Sequence, residues 1–125
     1  MNGTTDKPSH RRELGQKAES AAAAFLENRG WKILERNWRR ERCEIDIIAD
    51  DGEHTLVFVE VKSSTGKIPP ETKIDAVKIQ NLNRAAECYL REKSPSCSQC
   101  RFDLIAMRKS GENWIINHFQ DAFRP

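Results

Sequence analysis

Four ionic side chains crowd the ends of one apolar stretch, "CEIDIIADDGEHTLVFVEVK", Cys43 to Lys62. They are Glu44, Asp46, Glu60 and Lys62, and the residues between them read as protein interior. Side chains alternate along a strand, so Glu44, Asp46 and Ile48 are expected on one face and Ile45, Ile47 and Ala49 on the other. In the partner strand Leu56, Phe58, Glu60 and Lys62 share a face, against Val57, Val59 and Val61. Large apolar residues on both faces point to central strands covered from both sides. A hairpin centred on Glu53 sets Asp46 opposite Glu60, about 5 Å away. That register needs an odd loop length, because a slip of one residue sends the two carboxylates to opposite faces. Carboxylates that close repel, and one pKa rises unless a cation lies between them. Lys62 offers one positive charge, and a divalent ion that favours hard oxygen donors, Mg²⁺ or Mn²⁺, offers more. The spacing can form a metal cradle with a lysine beside it. It can also form a surface hairpin closed by salt bridges worth under about 1 kcal/mol each.

Two helical charges add to this set. Glu19 stands three residues before Ala22 and seven before Leu26, so it points toward the packed side of its helix. A carboxylate aimed there costs several kcal/mol unless paired or bound to metal. Lys78 falls in line with Ile74, Leu82, Ala85 and Tyr89 and interrupts a second apolar stripe. Each could sit at an exposed margin, where a lysine snorkels. Together, charges from two helices and two strands imply one shared polar site.

The elements that must position them follow from periodicity. Residues 1–10 are polar and read as a flexible tail. From Arg11 to Arg29, Leu14, Ala18, Ala21, Ala22, Phe25 and Leu26 recur at helical spacing, and Gly30 closes the helix. "WKILERNW" and the two halves of the opening stretch are strands, and "SSTGKIPPET" is a loop. A second helix is expected from about Glu71 to Lys93, with Ile74, Val77, Leu82, Ala85, Ala86, Tyr89 and Leu90 inward. "RFDLIAM" and "WIINHF" complete the set as strands joined through "RKSGEN". The order α-β-β-β-α-β-β describes one α/β domain over residues 11–125, with helices covering a mixed five-stranded sheet.

Composition narrows the partners. Against 21 Lys and Arg stand 19 Asp and Glu, a net charge of +2, so a nucleic-acid partner must be argued from where charges cluster. Such a cluster exists in "ERNWRRER", where Arg36, Arg39, Arg40 and Arg42 surround Trp38. The arginines could track phosphates while Trp38 stacks or packs, or the segment could be a solvated loop. There is no apolar run near 18 residues, and "MNGTTDKPSHRRELG" lacks a signal-peptide core, so the cytoplasm is expected. Cys97 and Cys100 in "CSQC" have zinc-ligand spacing but no second pair, and reduced thiols are the preferred reading. No Gly-rich phosphate loop, "GxSxG" or Cys–His pair offers a competing chemistry.

An inward glutamate on a helix, an aspartate on a strand and "EVK" on the next resemble the PD-(D/E)xK nuclease core, the restriction-endonuclease-like fold. In finer detail "GQKAE", "ERNWR", "EIDIIA", "VFVEVK", "AAECYL" and "RFDLIA" resemble, in order, the YraN-like family of small uncharacterised bacterial proteins. The likeness covers Leu14 to Phe123, and within the superfamily it is nearest in arrangement to archaeal Holliday-junction resolvases. The resemblance implies that Asp46 and Glu60 ligate a metal together with the Val61 carbonyl. It further implies that Glu19 holds a second metal or a water and that Lys62 orients the attacking water. Lys78 and the four arginines would contact nucleic acid. Two departures bear on substrate affinity: Cys43 replaces a usual glycine before "EID", and Ser64 stands where a basic residue often follows "EVK".

The expected activity is metal-assisted hydrolysis of DNA, of branched or otherwise structured DNA by the nearest likeness, which would suit a homodimer with two sites in register. The rival expectations are a non-catalytic nucleic-acid-binding module on the same scaffold and an interaction subunit of a repair or recombination assembly.

Overall fold

Small side chains decide how the first helix meets the sheet. In α1 (Pro8–Asn28) the residues Ala18, Ala22, Ala23 and Leu26 are buried, and three alanines among them let the backbone approach closely. The helix ends in a Schellman motif: Gly30, at φ +89°, donates to the Glu27 carbonyl, and Trp31 N–H reaches back to that of Leu26. A computed structural model describes residues 8–65, 69 and 74–124. The expected tail lies outside these as far as residue 7, and the helix starts at Pro8, inside the stretch read as tail.

The strands are β1 (Lys32–Arg40), β2 (Cys43–Asp50), β3 (Thr55–Ser64), β4 (Gln99–Ser110) and β5 (Asn113–Phe123), with α2 (Ala76–Lys93) between β3 and β4. They form one sheet in the order β1-β2-β3-β4-β5. β3 and β4 are parallel and every other neighbour is antiparallel. A parallel step needs a long crossover, and α2 supplies it. The α/β fold, its mixed five-stranded sheet and the order α-β-β-β-α-β-β all match the expectation.

Two cores result, one on each face. On the α1 side Ile47, Ala49, Val57, Val59, Val61, Ile105 and Met107 pack beneath the helix. On the α2 side Ile45, Ile48, Leu56, Phe58 and Leu104 meet Leu82, Ala85, Ala86 and Tyr89. Trp38 belongs to this second core, edge-on to Tyr89 at 5.3 Å between ring centroids, so it packs and does not stack on a ligand. "RRER" is half strand and half turn, since β1 runs through Arg40 before a turn at Glu41 and Arg42. Likewise β4 and β5 absorb most of "RKSGEN", leaving Gly111 and Glu112 as the turn.

Three expectations need correction. α2 starts at Ala76, because Asp75 caps it by accepting the Lys78 N–H at 2.9 Å; Glu71–Lys73 fall outside the described residues. Ile74 accordingly packs from the segment before the helix. Val77 is 64% exposed and faces away from the core. Ile45 lies on the same face as Ile48, with Ile47 on the opposite one, so strict alternation fails between Ile45 and Ile47. The break coincides with Asn37, opposite this point on β1, which adopts a left-handed φ of +52°.

A second buried polar cluster ties β4 to β5 at a register shift between Phe102 and Leu104. Asp103 is 0% exposed. Its carboxylate accepts Arg101 Nε and Nη2 at 2.8 and 3.2 Å, His118 Nε2 at 2.8 Å and the Asp121 N–H at 2.9 Å. Arg29 Nη1 meets His118 Nδ1 at 2.9 Å; an arginine can only donate, so the imidazole accepts there and donates through Nε2 to Asp103. Burial alone would raise the Asp103 pKa, but these donors outweigh it and hold the carboxyl below its usual range. A depressed carboxylate stabilises the fold fully above its unfolded pKa of about 4, and the contribution is lost as pH falls through the lower folded value. Asp103→Ala is expected to cost about 3 to 5 kcal/mol in urea denaturation at pH 7, with the deficit shrinking below about pH 4. A loss under 1 kcal/mol, or one independent of pH, contradicts this role.

Candidate active site

Position is set by a turn. Asp50 lies opposite Leu56 and Ile47 opposite Val59, and one further step of this register sets Asp46 against Glu60. The odd loop this requires is fixed by aspartates: Asp50 Oδ1 accepts the Gly52 N–H at 2.8 Å, and Asp51 Oδ1 accepts those of Glu53 and Thr55 at 2.7 and 3.2 Å. Gly52, at φ +83°, and His54, at φ +66°, are the left-handed residues of the turn, and the glycine takes that conformation without steric cost. Beyond Ile47 the regular ladder to β3 stops. There Asp46 Oδ2 accepts the Val61 N–H at 2.8 Å, so a side chain replaces the missing backbone partner.

Glu60 is 2% exposed and is reached from two elements. Lys62 Nζ, two residues along β3, is 3.4 Å from Oε2, and Lys78 Nζ, from the first turn of α2, is 3.3 Å from the same oxygen. Oε1 is buried without a hydrogen-bond partner among the described residues. An unsatisfied buried acceptor costs about 1 to 3 kcal/mol, and more when charged. Both ammoniums therefore serve one oxygen and the other is left bare beside Asp46.

The electrostatics follow from that crowding. Asp46 is pushed well above the carboxylate range, first by burial, then by the charge of Glu60, and also by a hydrogen bond to Glu60 that only its protonated form can donate; the Val61 N–H and Lys78 oppose the shift without cancelling it. Glu19, half-buried on α1, is raised to about 7 by burial, Asp46 and Glu44, against a hydrogen bond to Asn37 and the charge of Arg36. Burial pulls Lys78 down, but Glu60 and Asp46 outweigh it and keep the ammonium charged. Glu19, Asp46, Glu60, Lys62 and Lys78 thus share one site.

The arginines of β1 divide differently. Arg36 donates to Ser20 Oγ at 3.1 Å, Arg39 pairs with Glu44 at 2.9 Å, and Arg40 grips both oxygens of Glu92 at 2.7 and 2.9 Å. Arg42 is exposed at the turn. The four are strung along a strand and its turn and do not form one patch. Asn37 reads in the sequence only as part of the arginine-rich segment, and an asparagine in a strand gives no sign that it will turn left-handed and interact with Glu19. Ser64, at the position that departs from the likeness, is buried.

Does this set suit a divalent ion? Among the described residues no three His, Cys, Asp or Glu side chains converge closely enough to ligate one. Two carboxylates do meet, one with an oxygen lacking any donor, and their hard oxygens suit Mg²⁺ or Mn²⁺. The Val61 carbonyl is a backbone oxygen at the same point of β3, and Asp46 is close enough to Glu19 to help raise the pKa of Glu19. The residues fit an ion held by two side chains, backbone and water.

An acid raised in the folded state loses stability as pH climbs from its ordinary pKa, about 4, to the raised value. Wild-type protein is therefore strained by its own carboxylates above neutrality. Asp46→Asn cannot ionise and keeps an oxygen for the Val61 N–H. In EDTA it should melt roughly 3 to 6 °C above wild type at pH 8 by calorimetry, with little difference at pH 5. Equal melting temperatures at pH 8 would contradict the crowding described here.

The sequence profile of the Uncharacterised protein family UPF0102 matches residues 18–107, a span from α1 to β4 that contains all five charges of the site. A UPF0102 protein of Lawsonia intracellularis is 42% identical over 113 residues, covering 89% of this chain and 85% of its own. One from Geobacter metallireducens is 40% identical over 116 residues, covering 91% and 94%. Another, from Thermotoga maritima, is 42% identical over 108 residues, covering 84% and 92%. The match extends over nearly the whole length of each relative, and the chain belongs to the UPF0102, or YraN-like, family.

Proposed function

We propose that this protein is a divalent-metal-dependent nuclease that hydrolyses phosphodiester bonds in DNA. The observation that carries the reading is Glu60, a buried carboxylate with two ammoniums on one oxygen and, among the described residues, no hydrogen-bond partner on the other, next to a second carboxylate of raised pKa. A purely structural ion pair would satisfy both oxygens. The element order and the location of the charges on β2 and β3 also support the likeness to the PD-(D/E)xK core.

Asp46, Glu60 Oε1 and the Val61 carbonyl would hold Mg²⁺ or Mn²⁺, with Glu19 reaching it through water. When bound, the ion would lower the pKa of a water and offset charge on phosphate oxygens. The chain's own groups do the rest. Lys62, partly exposed at the mouth of the site, donates to a phosphate oxygen and orients the attacking water. Glu19, with a pKa near neutrality, is matched to accept a proton from water at physiological pH. Lys78 stays charged and pairs with Glu60 Oε2. Among the described residues no helix is long and apolar enough to cross a membrane; the proposed compartment is the cytoplasm. Branched DNA would require two copies acting together.

One observation favours a second reading. Because no third acidic side chain among the described residues converges with Asp46 and Glu60, the scaffold could bind nucleic acid without cutting it. DNA binding that persists in EDTA and is indifferent to Glu60→Ala, with no cleavage, would select that reading.

The test is a cleavage assay with duplexes, junctions, flaps and single strands in Mg²⁺ or Mn²⁺. Wild-type protein is expected to cut at least one of these, faster at pH 8 than at pH 6. Asp46→Asn, Glu60→Gln and Lys62→Ala should each lose at least about a hundredfold in rate while keeping the wild-type circular dichroism. No cutting of any substrate with either metal, or full activity in Asp46→Asn, overturns the proposal.

A further inference from the structure

A groove of about 370 Å³ opens between the β1–β2 turn and α2. Arg40 lines it from the end of β1, Arg42 from the turn, Asn81 and Arg84 from the helix, and Cys43 and Cys88 lie beside them. Both cysteines pack partly against the second core, so the groove has a fixed base. Glu41, on its rim, opposes part of the positive charge. Arg40 is committed to Glu92. Arg42 and Arg84 have no ion-pair partner among the described residues. Two unspent guanidiniums from different elements facing one groove matter in a chain whose net charge is only +2.

The groove runs away from the carboxylates along two elements at once. Arg84 is six residues beyond Lys78 on α2, about 9 Å along a helix. Cys43 is three residues before Asp46 on β2, about 10 Å along a strand. Either path equals two or three nucleotides at about 3.4 Å of rise each. The aromatic side chain nearest in sequence, Trp38, is buried beneath Arg40, and the groove lining contains no ring on which a base could stack. Guanidiniums and an amide with no stacking platform suit phosphate and sugar and are indifferent to sequence.

We infer that the DNA strand flanking the cleaved bond lies in this groove, its phosphates held by Arg42 and Arg84 and its sugar edge by Asn81. The inference rests on the nuclease reading for its direction away from Asp46 and Glu60, but binding can be measured without catalysis. Full-length protein in EDTA is titrated with fluorescein-labelled single-stranded and duplex DNA at several salt concentrations. Arg42→Ala and Arg84→Ala should each weaken binding about tenfold and lower the salt slope by about one, equally for all sequences. Bound DNA should slow alkylation of Cys43 and Cys88 by iodoacetamide and leave Cys97 and Cys100 unaffected. Wild-type affinity and slope in the folded Arg42→Ala, Arg84→Ala double variant, or unprotected Cys43 and Cys88, overturns the groove even if the protein cuts DNA. Groove-dependent binding without cleavage sustains the groove and removes the nuclease reading. Absence of any DNA binding overturns both.

Discussion

A carboxylate removed from water must recover its hydration from neighbouring charges and donors, or the fold carries the difference. Glu60 recovers only part of it. Lys62 and Lys78 both approach Oε2, and Oε1 has no hydrogen-bond partner among the described residues. The arrangement is held by the β2–β3 register, which the Asp50 and Asp51 turn fixes, and by the cap at Asp75, which starts α2 where Lys78 can reach inward. A slip of the strand register by one residue would take Asp46 away from Glu60, and a slip of the cap would turn Lys78 aside and leave Lys62 as the ammonium on Glu60.

Asp103 provides an internal control for this argument. It is as deeply buried as Glu60, in the same sheet, yet both oxygens receive two donors each and its pKa is held down. The same chain can evidently satisfy a buried carboxylate completely. Asp46 and Glu60, one with its pKa driven up and the other with an oxygen unserved, depart from that standard together. Such departures concentrate where a protein binds or reacts. Asp103 is therefore read as a clasp between β4 and β5, and Asp46 with Glu60 as a site.

Much of this geometry was legible in the sequence because it depends on local rules. Alternation and an odd turn were enough to bring Asp46 to Glu60, and helical spacing was enough to aim Glu19 and Lys78 at them. The failures have equally physical causes. Ile45 changed face because β2 leaves its ladder at Asp46, and periodicity has no means of announcing a break. Val77 faces outward because, at about 100° per residue, it lies on the opposite side of the helix from Ala86 and well away from Leu82, so it is not part of the buried stripe. Asp103 and Asn37 take their roles from residues distant in the chain, His118 and Glu19. The arginines of "ERNWRRER" looked alike in sequence, whereas partners on α1, β2 and α2 distinguish the committed ones from Arg42.

The central claim is that the bare oxygen of Glu60 and the raised carboxyl of Asp46 await the same cation. It is tested most directly by anomalous diffraction from a crystal soaked in Mn²⁺ at alkaline pH. The account predicts one peak about 2.0 to 2.3 Å from an oxygen of each carboxylate, absent in Glu60→Gln. A saturating soak that leaves the space between Asp46 and Glu60 empty, or a peak that survives the substitution, would contradict it.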